Sequence, residues 1–556
     1  PRLDNVSEVE KFEEVLRYHK LAMLAYEDQL NAFTKSGIRT LQQAGRIANF
    51  NAAQKGVYTE AIRLTRKLYQ LTNETRYLDS IFQLAERNKA YVSRENLKDL
   101  DRFRGVAVED LEKERAYYSK IEALQRTMST DISEDERLEK SEEYEQVKYQ
   151  LSQFLDALQE KYPQYYTARY GNEVVASDKV SEAILDDETA LLQYVYITDT
   201  SAYMLLLKEG QKLRIFPVTT KHDMSELISQ LHTAAENRSF VADYDVAKAY
   251  SNSAATLYDI LICPIEEEIA DLKRLIIIPD GELYRLDFNL LLTEKLDELP
   301  KSNGLVDGYL FPYLFKNYAI SYASSASMLV NRLENDNPAD NRIELKYGGF
   351  EPDYRNCTNN AWKEIRFDDV RAIGTELFPG QSNVWIDDQV SKNAFLSVVN
   401  QHAFNILHFS GHSFLHPARP LDAYLALGCK EGQSDSITVA DLYNLYIDAD
   451  LAILASCQSG INTLFHPGEG FPSIAKGFEY AGCPSLIMSQ WDVDSDAGRE
   501  ITTSVLKYLK EKGKTYDVAL WKAKLDYLKS EDKNIENLAP YYWASMIAWG
   551  RMRSLD

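Results

Sequence analysis

Two stretches decide the fold: NILHFSGHS, from Asn405 to Ser413, and LAILASCQSG, from Leu451 to Gly460. Each is a short apolar run closed by small residues and glycine, the pattern of a strand buried on both faces rather than of a half-exposed one, which would alternate. The first breaks at Ser410-Gly411 and sets His412 in the loop beyond, its ring projecting past the sheet edge. The second does the same for Cys457, with Gly460 freeing the chain to turn. Functional groups in open α/β sheets collect just past the carboxyl ends of strands. A cysteine thiol becomes a nucleophile when a neighbouring imidazole holds it as thiolate and later protonates the leaving amine, so the pair must converge in space rather than in sequence.

Outward from these stretches, LIIIPDG from Leu275, YAISYASS from Tyr318 and SLIMSQWD from Ser485 are further apolar runs alternating with helical segments. Such strands imply a largely parallel sheet covered by helices on both faces. Upstream, ALLQYVYI from Ala190, SAYMLLL from Ser201 and KLRIFPV from Lys212, with a turn at Glu209-Gly210, read as neighbouring strands of a meander. The change from helical to strand periodicity puts a domain boundary near residue 180.

From Val6 to about Gly171 the pattern is helical, with Pro163 the first proline after Pro1. YTEAIRLTRKLYQLTNETRYLDSIFQLAERNKAYV, from Tyr58, reads as two amphipathic helices broken at Thr72-Asn73 and resembles a tetratricopeptide helix pair, without that repeat's full signature or a clear second copy. Two charged helices follow, about Val108 to Met128 and Glu134 to Lys161, expected to pair as an antiparallel hairpin. Ser133 with Glu136 forms a capping box at the start of the second. Charge runs of this kind are mostly the solvated faces of paired helices, and such faces also serve for docking.

The formal net charge of -23 over 556 residues repels phosphate backbones and anionic lipid, which argues against direct nucleic-acid or membrane binding. No apolar run approaches the ~18 residues of a membrane span. Five cysteines (Cys263, Cys357, Cys429, Cys457 and Cys483) show no paired CxxC spacing, which fits a reducing, cytoplasmic setting. The chain begins at Pro1 rather than Met, which leaves room for upstream sequence, further repeats included.

His412 precedes Cys457 by 45 positions, the caspase order of His before Cys. IIIPDGELYRLDFNLLL (from Ile276), ASSASML (from Ala323), HFSGHS (from His408), LYNLYIDADLAILASCQSG (from Leu442), GEGFPSIAKGFEYAGCPSLIMSQWDVD (from Gly468) and PYYWASMIAWG (from Pro540) together resemble a CHAT domain, from about residue 180 to the end. The resemblance implies a caspase-like and separase-like cysteine peptidase, a family whose members commonly follow tetratricopeptide repeats. It implies His412 as general base and Cys457 as nucleophile, with the oxyanion held by the backbone N–H groups of Cys457 and Ser413. Ser456-Cys457-Gln458-Ser459-Gly460 departs from the family's usual Ala-Cys-Glu-Thr-Gly but retains the nucleophile. SQWDVDSDAG resembles the separase segment that shapes the pocket for the residue before the cut, so Asp492 and Asp494 are expected to favour Arg or Lys there. A bacterial role in stress or phage defence is also implied, with a restrained protease cutting one chosen protein.

Plainer readings compete. Cysteines at strand ends are most often buried and structural, which is the reading for Cys263, Cys357, Cys429 and Cys483. His408 and His412, or His412 and His416, have metal-pair spacing, but strand followed by loop and the lack of further ligands argue against zinc; His408 is expected to point into the sheet or support the loop. GEGF at Gly468 lacks the order of a phosphate loop and reads as a flexible segment opening a helix. The expectation is therefore an N-terminal all-α region of tetratricopeptide-like repeats plus a long helical hairpin (1–180), then an α/β caspase-like domain with a mainly parallel sheet flanked by helices. That domain divides into a non-catalytic half (181–345) and a catalytic half (346–556). No cofactor or metal is expected; the expected partners are a protein substrate and a protein regulator on the helical region. The alternative is an inactive scaffold for protein–protein interaction.

Overall fold

The computed structural model describes residues 7–35, 41–89, 133–162, 174–198, 200–334, 345–355, 357, 369–387, 389–401, 404–416, 422–430, 433–442, 445, 447–456, 473–530 and 532–555, with positions 109–110, 113, 116–117, 120–121, 124 and 127–128 between them. The chain forms two compact units, the second beginning at Ser177.

In the first unit, helices Glu8–Lys35, Leu41–Thr72 and Arg76–Asn88 follow one another. The break expected at Thr72-Asn73 is present: Asn73 turns the chain with φ +56°, a left-handed conformation that Asn tolerates better than most residues. Helix Glu134–Lys161 starts at Ser133, whose Oγ accepts the Glu136 N–H (3.2 Å). Ile121 and Leu124 pack with Val147, Leu151, Leu155 and Leu158, and ion pairs join Lys161 to Asp110 (2.6 Å) and Lys120 to Glu143 (3.1 Å). Contacts that run in opposite senses along the two segments define the antiparallel hairpin. No helix among the described residues is long and apolar enough to cross a membrane.

The second unit is built on one sheet of eleven strands. Its first strands are β1 (Thr189–Thr198), β2 (Ser201–Lys208), β3 (Arg214–Thr219) and β4 (Arg274–Ile278). A small hairpin of β5 (Lys301–Ser302) and β6 (Leu305–Val306) stands apart, and β7 (Ala319–Tyr322) returns to the sheet. From the rest of the chain come β8 (Tyr347–Pro352), β9 (Ser382–Asp387), β10 (Phe404–Gly411), β14 (Ala449–Ser456), β15 (Ser485–Ser489) and β16 (Met546–Gly550). Between β10 and β14, the strands β11 (Ser413–Phe414), β12 (Tyr424–Lys430) and β13 (Gln433–Thr438) form a separate antiparallel sheet.

The main sheet runs β3-β2-β1-β4-β7-β16-β15-β14-β10-β8-β9, without a break between the strands before residue 345 and those after it. The expected meander is the antiparallel run β1-β2-β3, and β16 is antiparallel to β15; the other neighbours are parallel. Strands β10, β15 and β16 are buried along their whole length, whereas edge strands β3 and β9 are largely exposed or half-buried. Pro217 lies in β3, at an edge, where a missing N–H costs no ladder bond. Helices Ser495–Leu509 and Tyr516–Lys529 bury Ile501, Val505, Leu520 and Tyr527 in the core that the sheet shares.

Two readings of the cysteines are corrected. Cys357 and Cys429, read as separate structural thiols, are joined in a disulfide across 72 residues of sequence. Cys263 is exposed rather than buried; Cys483 is buried as expected. A bridge between such distant positions leaves no spacing pattern for a sequence to show.

Candidate active site

The ladder of β10 and β14 runs from Phe404 opposite Ala449 to Gly411 opposite Ser456. The next residues in the chain are His412 and Cys457. Cys457, Gly460 and the GEGF segment lie outside the described residues, so the description of the site stops on that side at Ser456. Ser456 is held from the next strand by the Ser489 hydroxyl, which donates to its carbonyl.

His412 is not in an open loop. Strand β10 continues through Gly411, and His412 is the single residue between it and β11. Its ring is buried, 5% exposed, packed on Tyr354 with centroids 4.6 Å apart and near Phe414 at 5.9 Å. The side sheet bears on the difference: β11 follows His412 directly and carries Phe414, and Ala426 of β12 bonds the His412 backbone.

Tyr354 has entered that ladder. Ala426 donates its N–H to His412 O (3.0 Å), which makes residues 412 and 426 a hydrogen-bonded pair. The return bond, His412 N–H to Ala426 O, is replaced by a relay: His412 N–H donates to Tyr354 Oη (2.9 Å) and Tyr354 Oη donates to Ala426 O (2.8 Å). Gly411 is required beside it, because a Cβ there would meet Tyr354 Oη at 2.5 Å. Sequence reasoning missed Tyr354; a tyrosine in EPDYRNC carries no signal of a contact 58 residues away.

His408 points into the sheet, one of the two roles expected of it. It is fully buried, with Nδ1 in a hydrogen bond with Tyr347 Oη (2.8 Å) and Nε2 3.9 Å from Asp369 Oδ2. Burial lowers its pKa and the Asp369 charge opposes that, so the ring is a neutral structural group.

Asp492 and Asp494 follow β15, which lies parallel beside β14, and so leave the same carboxyl edge as His412. Asp492 is exposed. Asp494 is a helix cap: its Oδ1 accepts the N–H groups of Asp496 (3.2 Å) and Ala497 (3.1 Å). Arg238, unnoticed in the sequence, donates to Tyr541 Oη (2.6 Å). Burial raises the Tyr541 pKa, the Arg238 bond and charge oppose that, and the charges of Asp492 and Asp494 add to the rise. Trp491 is anchored by Nε1 donating to Tyr541 O (3.1 Å).

Other motif residues are structural. Lys476 bonds Glu479 (2.7 Å) and Ser324 and lies 5.3 Å from the Trp549 ring centroid, tying three quoted motifs into one buried network. Asp280 accepts N–H groups from Tyr196 (2.8 Å) and Gly281 (2.9 Å), and Asp287 accepts the Tyr322 hydroxyl (2.8 Å).

The fold and site define an α/β domain whose candidate chemistry gathers at the carboxyl edge of parallel strands. Residues 251–551 match the CHAT domain, and the chain belongs to that family. No curated protein matches it. Among solved structures it is similar to separase in the Saccharomyces cerevisiae separase–securin complex, at 10% identity and TM-score 0.39, covering 98% of this chain and 40% of that one. It is similar also to the complex of pro- and mature domains of RgpB from Porphyromonas gingivalis, at 10% identity and TM-score 0.34, covering 59% and 75%. A third likeness is to gingipain R, described as an Arg-specific cysteine proteinase, at 12% identity and TM-score 0.34, covering 59% and 74%. The chain thus spans 40% of the separase chain's length.

Proposed function

We propose that this protein is a cysteine endopeptidase in which the Cys457 thiolate attacks a peptide carbonyl and His412 acts as general base and then as acid toward the leaving amine. The observation that carries the reading is the register of β10 and β14: Gly411 opposite Ser456 brings the chain to His412 and Cys457 from adjacent parallel strand ends. Membership of the CHAT family supports it. The oxyanion is held by the N–H groups of Cys457 and Ser413.

The residue before the cut is basic in this reading, drawn by Asp492 and Asp494, with Arg238 offsetting part of their charge. The protein acts in the cytoplasm in bacterial stress or phage defence, and a protein partner on the tetratricopeptide-like helices releases its activity. The test is cleavage of a positional peptide library by wild type and Cys457→Ala, with and without cell extract as a source of activator. Cysteine-dependent cutting after Arg or Lys is expected. No cutting in either condition, together with no labelling of Cys457 by an acyloxymethyl ketone, would replace this reading with that of an inactive scaffold.

A further inference from the structure

Three contacts pin one short segment onto β12 beside His412. Tyr354 donates to Ala426 O. The Asp353 carbonyl lies against Gly428, where a Cβ would come within 2.9 Å of it and where φ is +92°, a conformation open to glycine. Cys357 is bonded to Cys429. Cys357 N–H donates to Tyr354 O (3.1 Å), so the sulfur and the phenol belong to one turn and move together. Tyr354, Cys357 and Ala426 form a small cluster with Phe414, Tyr424 and Cys429, separate from the main core. Within that cluster the disulfide is the one covalent tie between the turn and β12.

We propose that the Cys357–Cys429 disulfide is a redox latch on His412, acting through Tyr354 as a positioning residue. The proposal rests on the peptidase reading and concerns regulation of that site. Closed, the bridge keeps the turn on β12 and the Tyr354 hydroxyl in the relay between His412 N–H and Ala426 O, which fixes the backbone of His412 and the face on which its ring packs. Opened, it frees the turn, the relay is lost and the imidazole loses its fixed orientation.

The agent that opens it is a dithiol. One thiolate of the dithiol attacks Cys429 Sγ, the half-buried end, and the S–S electron pair leaves with Cys357, which takes up a proton. The second thiolate then attacks the sulfur bound to Cys429, closing the dithiol into its own disulfide and releasing Cys429, which is protonated in turn. Two electrons and two protons pass to the protein, and the dithiol is oxidised.

The first test is peptide mapping without added reductant, after equilibration over a range of dithiol to disulfide ratios. A linked Cys357–Cys429 peptide that disappears as the ratio rises is expected; its absence at the oxidising end overturns the latch. At a ratio where the link is intact, so that Cys457 is in one state throughout, wild type is compared with Cys357→Ala/Cys429→Ala, with Tyr354→Phe, and with Cys263→Ser as a control for the exposed thiol. The double variant and Tyr354→Phe are each expected to lose about 10-fold in kcat with KM within about twofold, and Cys263→Ser nothing. Combining the first two changes is expected to give no further loss, because both act on one element. Wild-type kcat in the double variant, or losses that multiply, overturn the proposal. Should wild type neither cleave nor react at Cys457, the peptidase reading has failed by itself. The latch is then read from the His412 ring NMR signal, assigned with His412→Gln: a change on opening the bridge supports the latch, and an unchanged signal overturns it.

Discussion

Gly411 and Ser456 are the last register pair of the β10–β14 ladder. Their separation of 45 positions is constant along that ladder and equals the separation of His412 and Cys457. The sequence spacing is therefore the register of two neighbouring strands. An insertion in the intervening segment would alter the spacing without moving either strand end, whereas a slip of one residue in the ladder would send one of the two residues to the other face.

Truncation of the imidazole tests both its roles. His412→Ala is expected to lower kcat at least about 10^3-fold. Because the ring is buried against Tyr354, it is also expected to cost about 1–3 kcal/mol, read from urea midpoints. Undiminished turnover would remove His412 from the mechanism.

Gly411→Ala probes the close approach of Tyr354. A Cβ 2.5 Å from a hydroxyl held by two hydrogen bonds must displace it, at a cost of about 1–3 kcal/mol and with a lower kcat. Thermal melts and turnover of this variant are expected to fall together. A variant as stable and active as wild type would show that the relay yields easily.

Asp494 has two possible duties that one pair of variants separates. Asp494→Ala removes the cap of helix Ser495–Leu509 and is expected to cost about 0.5–2 kcal/mol, while Asp494→Asn, which still accepts both N–H groups, retains that stability. Any loss of preference for a basic residue before the cut is expected equally in both, and in Asp492→Asn with stability unchanged.

Lys524 gives a pH dependence of defined sign. It is buried, with no hydrogen-bond partner for Nζ among the described residues and the Trp543 ring centroid 5.9 Å away; burial lowers its pKa to about 8, and Asp287 opposes the shift. Between pH 8 and the ordinary value of 10.5 Lys524 holds more of its proton in the unfolded chain than in the folded one, so its own contribution to stability rises with pH there, by roughly 2 kcal/mol from pH 7 to pH 10. Urea unfolding at the two pH values is expected to show wild type gaining roughly 2 kcal/mol relative to Lys524→Met, which is the more stable protein at pH 7.

Period and order in the sequence determined the helical first third, the meander, the parallel strands and the placing of His412 and Cys457 after two of them, because those features are repeated locally in every residue of an element. The resemblance to the CHAT domain rested on motifs of which several prove to hold the core, as Lys476, Glu479 and Ser324 show. Burial of His412 was not legible, since the side sheet beside it has strands joined by pairings such as Ser413 with Leu425.

Three relationships were decided by tertiary structure alone: the Tyr354 hydroxyl in the His412–Ala426 ladder, the Cys357–Cys429 bridge, and the Arg238 hydrogen bond to Tyr541. Each joins side chains tens to hundreds of residues apart, at single contacts with no repeat along the chain. A sequence reports such a contact only through periodicity or a motif. A lone tyrosine, two isolated cysteines and a surface arginine supply neither, so their roles appear only once the sheets bring them together.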